Sequence, residues 1–132
     1  MSNLEMKNLS IKPGTELRVS GVTHQDVIRF SINVGNSREN IALHFNPRFD
    51  TGCGVIVLNS MKNGSWQDEV KGGNFPFQRG QEFKVTITFA DDKFYINLRD
   101  GHVLQFPNRL AGKKYDYVWT EGEVTINGVN VI

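Results

Sequence analysis

The chain has 132 residues, 39% of them hydrophobic and 22% charged, with a formal net charge of +1. That length fits a single domain spanning residues 1–132 with a core of its own, and the composition excludes a disordered polymer. The near-neutral charge lacks the basic excess that nucleic acid or an anionic membrane draws, and a single cysteine, Cys53, rules out an internal disulfide.

Val, Ile and Thr are frequent and Ala is scarce. Branched side chains suit a pleated surface, and without Ala long helices are disfavoured. The first residues, Met1 to Met6, lack the apolar run of a secretory leader. A cytosolic protein is therefore expected, with the sequons at Asn8 and Asn63 unmodified. Leu4 to Ile11 reads as a terminal strand, closed by the Lys12-Pro13-Gly14 turn. Phe30, Ile32 and Val34 then alternate with Arg29, Ser31 and Asn33, giving one face to a core and one to water. Ile41, Leu43 and Phe45 repeat the pattern as a core face, and so do Ile56 and Leu58.

After the Gln78-Arg79-Gly80 turn come Phe83, Val85, Ile87 and Phe89, alternating with Lys84, Thr86 and Thr88. Phe94, Ile96 and Leu98 follow, and Asp100-Gly101 marks a tight hairpin behind them. Asn127-Gly128 is a second candidate tight turn within the strand-like end Val124 to Ile132. Tyr115, Tyr117 and Trp119 read as packing or edge anchors, and His24 and His102 as surface or turn residues. Many short strands with close turn signals indicate an all-β, antiparallel two-sheet sandwich. Terminal strands commonly lie at sheet edges, where another chain can pair with them.

The polar face of the Ile41 to Arg48 segment stands apart. His44, Asn46 and Arg48 fall on alternate positions, so they share one side of a strand. An imidazole, an amide and a guanidinium have fixed hydrogen-bond geometry. They form either an ordinary polar face with a satisfied histidine or a set of groups that grips a ligand's hydroxyls. Val57 and Asn59 face one way on the next strand. Trp66, after the Asn63-Gly64-Ser65 turn, is either a partly buried anchor or a flat platform for a ligand with one apolar face, such as a sugar. Glu69 is placed to accept from hydroxyls and to orient Arg48 through a charge-assisted fork.

Taken together, His44-Phe45-Asn46-Pro47-Arg48, Val57-Leu58-Asn59 and Trp66-Gln67-Asp68-Glu69 resemble the galectin signature in order and spacing. Leu9 to Gly14, Asn74 to Gln78 and Phe106 to Leu110 extend the resemblance over essentially the whole chain. The resemblance implies a jelly-roll sandwich of the galectin-like, concanavalin A-like kind, with a groove for a β-linked galactose. It implies that His44, Asn46 and Arg48 meet the axial 4-hydroxyl, that Asn59 and Glu69 meet the 6-hydroxyl, and that Trp66 stacks under the ring. It also implies a homodimer, export by an unconventional route and β-galactoside-bearing glycans as partners, with no cofactor and no metal. Two features depart from the family: Lys71 stands where Arg is usual, and the loop Phe49 to Gly54 is short. The resemblance implies that this side of the groove meets the neighbouring sugar. Lysine has no planar fork, so the departures bear on preference for that sugar, and galactose recognition is expected to survive them.

Two other functions compete. A glycosidase needs two carboxyl groups flanking the scissile bond, whereas the motif offers Glu69 alone, so no catalysis is expected. A galectin-fold interaction module with vestigial sugar binding would need a degraded motif, and this one is nearly complete.

Overall fold

The computed structural model describes residues 2–132, with side chains from Leu4 onward. Among the described residues, twelve strands make two antiparallel sheets. In the first, the order is β1 (Ser2–Met6), β11 (Tyr117–Gly122), β3 (Phe30–Ser37), β4 (Asn40–Arg48), β5 (Val55–Lys62) and β6 (Ser65–Trp66), with β7 (Val70–Lys71) also paired to β5. In the second, the order is β10 (Val103–Pro107), β9 (Lys93–Leu98), β8 (Glu82–Phe89), β2 (Glu16–Thr23) and β12 (Val124–Val131). The expected two-sheet β-sandwich is thus present. Both terminal strands, β1 and β12, lie at sheet edges as anticipated, but β1 stops at Met6 instead of running from Leu4 to Ile11, and Ile11 makes only an isolated bridge to Tyr115.

The alternating residues build the core. Phe83, Val85, Ile87 and Phe89 from β8 and Phe94, Ile96 and Leu98 from β9 meet Phe30, Ile32, Val34, Leu43, Phe45, Ile56 and Leu58 from the first sheet. Fully burying such a side chain contributes about 1.5–3 kcal/mol each relative to exposure. Phe30, Phe49, Phe75, Phe77 and Phe83 form a contiguous aromatic cluster, with ring centroids 4.9–5.7 Å apart along its closest contacts. It lies inside the sandwich behind β3 and β4. Gly54 closes the short loop against it: its φ is +97°, and a β-carbon there would come within 2.3 Å of the Phe75 ring. The Asp100-Gly101 turn joins β9 to β10, with Gly101 in the left-handed region at φ +92°.

Three local readings are corrected. Ile41 does not share a face with Leu43 and Phe45. Register shifts between Val34 and Gly35, and between Ile41 and His44, slip the pairing. One such slip sends a side chain to the opposite face. Ala42 therefore enters the core, and Ile41 packs with Tyr117, Trp119 and Met61 on the outer face. Asn127-Gly128 is no tight turn; it sits inside β12 at a register shift between Ile126 and Gly128 opposite β2, a β-bulge. Finally, Ser31 and Asn33 alternate away from the core as expected, yet they do not face water: both are buried, Asn33 at 2% exposure.

Tyr117 and Trp119 do pack, as expected, with stacked rings 4.5 Å apart and the Arg38 guanidinium across them. Arg38 also pairs with Glu5 of β1 and Glu121 of β11, and the Tyr117 hydroxyl donates to Glu5. This outer-face cluster ties the first strand to the sheet.

Candidate functional site

The antiparallel register sets a row of polar groups across the first sheet. Trp119 of β11 lies opposite Asn33 of β3, Asn33 opposite His44 of β4, and His44 opposite Asn59 of β5. One step along, Asn46 lies opposite Val57. These positions open into a groove of about 620 Å³ lined by His44, Asn46, Arg48, Val57, Asn59, Trp66 and Glu69 and continuing over Arg29, Ser31, Glu121 and Glu123. Residues scattered from 29 to 123 in sequence thus form one surface.

Six of the seven residues singled out in sequence line this groove. The seventh, Lys71, is exposed on β7 opposite Val57 and is not part of the lining. Arg48 donates from Nε to Asn46 Oδ1 at 2.9 Å and from Nη2 to Glu69 Oε2 at 3.3 Å. The anticipated Arg48–Glu69 pair exists, but through one contact rather than a fork. Both partners are partly exposed, so the pair orients more than it stabilises. Asn46 is buried and donates to the Phe30 carbonyl at 2.7 Å. Asn59 is buried as well; it donates to the Gln67 carbonyl at 3.2 Å and accepts from the Ser60 amide at 2.7 Å.

Each polar side chain is therefore fixed by backbone or by a neighbour before any ligand arrives. Ordering long side chains on binding costs about 0.5–1.5 kcal/mol apiece, and prior fixation avoids much of that.

Trp66 behaves differently. It is 50% exposed, at the end of a two-residue strand, with its ring centroid 4.7 Å from that of His44. A large apolar ring held beside water offers a platform that a ligand's apolar face can cover. His44 is partly buried. Burial pushes its imidazole down to about 4, the Arg48 charge acts in the same direction, and a bond to Asn46 partly offsets both. The ring is neutral at pH 7, and its Nδ1 lies 2.5 Å from Asn33 Oδ1.

Arg109 was noted in sequence only as part of a flanking match. Its Nη1 donates to the Asp68 carbonyl at 2.8 Å, to Ser60 Oγ at 3.2 Å and to Asn59 Oδ1 at 3.4 Å, and its guanidinium lies 4.7 Å from the Phe106 ring centroid. It pins the loop bearing Trp66 and Glu69 to β5. Nothing local in the sequence signals this, because its partners lie 41–50 residues away. Cys53 is exposed in the short loop. Among the described residues, no group of three or more His, Cys, Asp or Glu is arranged to hold a metal ion.

The family model for galactoside-binding lectins matches residues 4–131. The chain is 46% identical to galectin-2 of Mus musculus over 86% of both chains. The crystal structure of chicken galectin 2 superposes with a TM-score of 0.96 at 36% identity, covering 100% of both chains. A homodimeric agglutinin from chicken liver, CG-16, superposes at 0.92 with 32% identity over 98% of both chains.

Proposed function

The chain belongs to the galactoside-binding lectin family and is a β-galactoside-binding lectin, and we propose that galactose lies across β4 to β6, over the face of Trp66 and without metal. The observation that supports this placement is the preorganised polar row beside a half-exposed tryptophan. A pyranose has an apolar face and a ring of hydroxyls, and the groove offers a counterpart to each. His44, Asn46 and Arg48 converge where an axial hydroxyl of galactose fits. Asn59 and Glu69 lie at the side that its 6-hydroxyl reaches. A glucose ring, with its 4-hydroxyl equatorial, leaves the ligand-facing donors and acceptors of these groups without a partner, which costs about 1–3 kcal/mol.

The groups in the groove act by binding rather than by catalysis. Glu69 is engaged with Arg48, and its role is to accept hydrogen bonds. Several such bonds, each worth about 1 kcal/mol net, plus one stacked face, support an affinity on the order of micromolar to millimolar. Retention on immobilised lactose, in buffer containing EDTA and with elution by lactose, tests the proposal. Loss of retention on adding EDTA contradicts a metal-free site, and hydrolysis of a nitrophenyl β-galactoside contradicts a purely binding role.

The edge positions of β1 and β12 support a non-covalent homodimer, as does the homodimeric CG-16. Two sites per particle crosslink glycans through multivalency. The proposed working place is outside the cell, reached from the cytosol by an unconventional route. A monomeric mass at tens of micromolar, or glycans on Asn8 or Asn63, would count against these two readings respectively.

A further inference from the structure

Asn33 belongs to no motif and is almost wholly buried on β3, directly opposite His44. Its amide nitrogen lies 3.3 Å from the Trp119 carbonyl oxygen and 3.0 Å from Ser31 Oγ. A backbone carbonyl only accepts, so the amide NH2 must face it. Asn33 Oδ1 is thereby turned the other way, to His44 Nδ1 at 2.5 Å. An amide oxygen also only accepts, so the hydrogen in that contact belongs to Nδ1. A neutral imidazole has one N–H, and Nε2 is left as a lone pair.

We infer that Asn33 is a positioning residue that holds the proton of His44 on Nδ1 and so makes the groove, at that point, an acceptor for a hydroxyl that must donate. The inference rests on the galactose placement above for its consequence in binding, but the proton assignment itself does not. The chain of constraint starts at the Trp119 carbonyl and ends at Nε2, crossing β11, β3 and β4. Its effect is specificity: an axial group that can accept but not donate, such as fluorine, meets a lone pair there and is rejected.

The surroundings of the ring are consistent with a fixed neutral form. Arg48 of β4, paired with Glu69, is the charged group acting on it. β3 and β5 present the uncharged Asn33 and Asn59 on either side, and β6 presents the Trp66 ring. β4 itself presents Asn46, an uncharged amide whose contact favours the protonated ring less than burial and Arg48 oppose it.

The experiment reads the His44 ring nitrogens by 15N NMR in the sugar-free protein at pH 7, with His44→Gln used to assign the signals. The expected spectrum shows Nδ1 protonated and Nε2 unprotonated; a protonated Nε2 overturns the inference. Asn33→Leu removes the acceptor, releases the tautomer and weakens lactose binding tenfold or more, while unchanged lactose affinity in a folded Asn33→Leu protein also overturns it. Asn33→Asp restores an acceptor at the same place. It should keep the Nδ1–H tautomer and, because a carboxylate favours the imidazolium, move the acid limb of lactose binding upward by at least one pH unit. An unmoved limb would show that the residue at position 33 does not act on the His44 ring, and it contradicts the inference even if Asn33→Leu fails to fold. The expected wild-type tautomer without lactose binding would instead break the galactose placement and leave the proton assignment standing.

Discussion

The two sheets each turn one face away from the shared core, and the two faces are built differently. On the second sheet, Lys84, Asn97 and Arg99 are exposed while Thr86, Thr88 and Tyr95 are half-buried, as alternation predicts for a strand that meets water on one side. On the first sheet, the corresponding positions hold Ser31, Asn33, Asn46 and Asn59, all buried, although no other layer covers them. Their hydrogen-bond partners lie around them: Ser31, the Trp119 carbonyl and His44 on Asn33, the Phe30 carbonyl and Arg48 on Asn46, and the Gln67 carbonyl and Arg109 on Asn59. Polar groups withdrawn from water must be paired or they destabilise the fold. Each of these asparagines is paired, and the pairing fixes it. One face remains ordinary solvated surface, and the other is a set of hydrogen-bonding groups held still. Function follows from the second condition.

The sharpest way to break this contrast is to remove a fixed group from the first face and an unfixed one from the second. Arg48→Ala leaves Glu69 without its partner and removes the bond that Asn46 Oδ1 accepts, and Trp66→Ala removes the platform. Each is expected to weaken lactose binding at least tenfold, about 1.4 kcal/mol or more, by calorimetry on folded protein. Arg99→Ala on the second face should leave lactose affinity unchanged and stability within about 0.5 kcal/mol.

A pH series sharpens the comparison next. The folded His44 imidazole titrates at about 4, below the ~6.5 of an unfolded histidine. Between those values the unfolded chain holds a proton that the folded chain does not. Stability therefore rises with pH through that window and falls as pH drops from 6.5 to 4. His44→Gln should flatten this part of the Tm–pH curve relative to the wild type; parallel curves would show that His44 is not held neutral.

Arg109→Met keeps the apolar stem over Phe106 but removes the bonds to Asp68, Ser60 and Asn59. Because these act on the loop bearing Trp66 and Glu69 rather than on the sugar, a smaller loss is expected, about threefold in lactose affinity, on the order of 0.6 kcal/mol. The smallest effect is reserved for Lys71, which stands outside the groove. Lys71→Arg is expected to raise lactose affinity by about twofold, on the order of 0.4 kcal/mol, and to leave methyl β-galactoside unchanged. Equal gains for both ligands would show that this position does not read the second sugar.

Much of this arrangement was legible in the sequence. Alternation located the core residues of β8 and β9 and put His44, Asn46 and Arg48 on one strand face, and the resemblance to the galectin signature implied that Asn59, Trp66 and Glu69 share that surface. What escaped has a common cause. Ile41 changed faces because of register shifts set by pairing with β3 and β5, and no pattern within β4 encodes its partners' register. The same holds for Asn127-Gly128, a turn signal absorbed as a bulge opposite β2. Asn33 and Arg109 look like any polar residues until strands distant in sequence bring a carbonyl or a loop to them. Local periodicity reports which side a residue faces; whether that side is solvated depends on what else the fold sets there.

The most direct test of the account follows lactose binding by amide NMR across both faces at once. Titration in the presence of EDTA is expected to shift the resonances of β4, β5 and the Trp66 to Glu69 segment in a saturable way, with β8, β9 and β10 unmoved and methyl β-glucoside inert at the same concentrations. Shifts centred on the second sheet, or equal shifts with the glucoside, would contradict the claim that the buried polar face of the first sheet is the site that reads galactose.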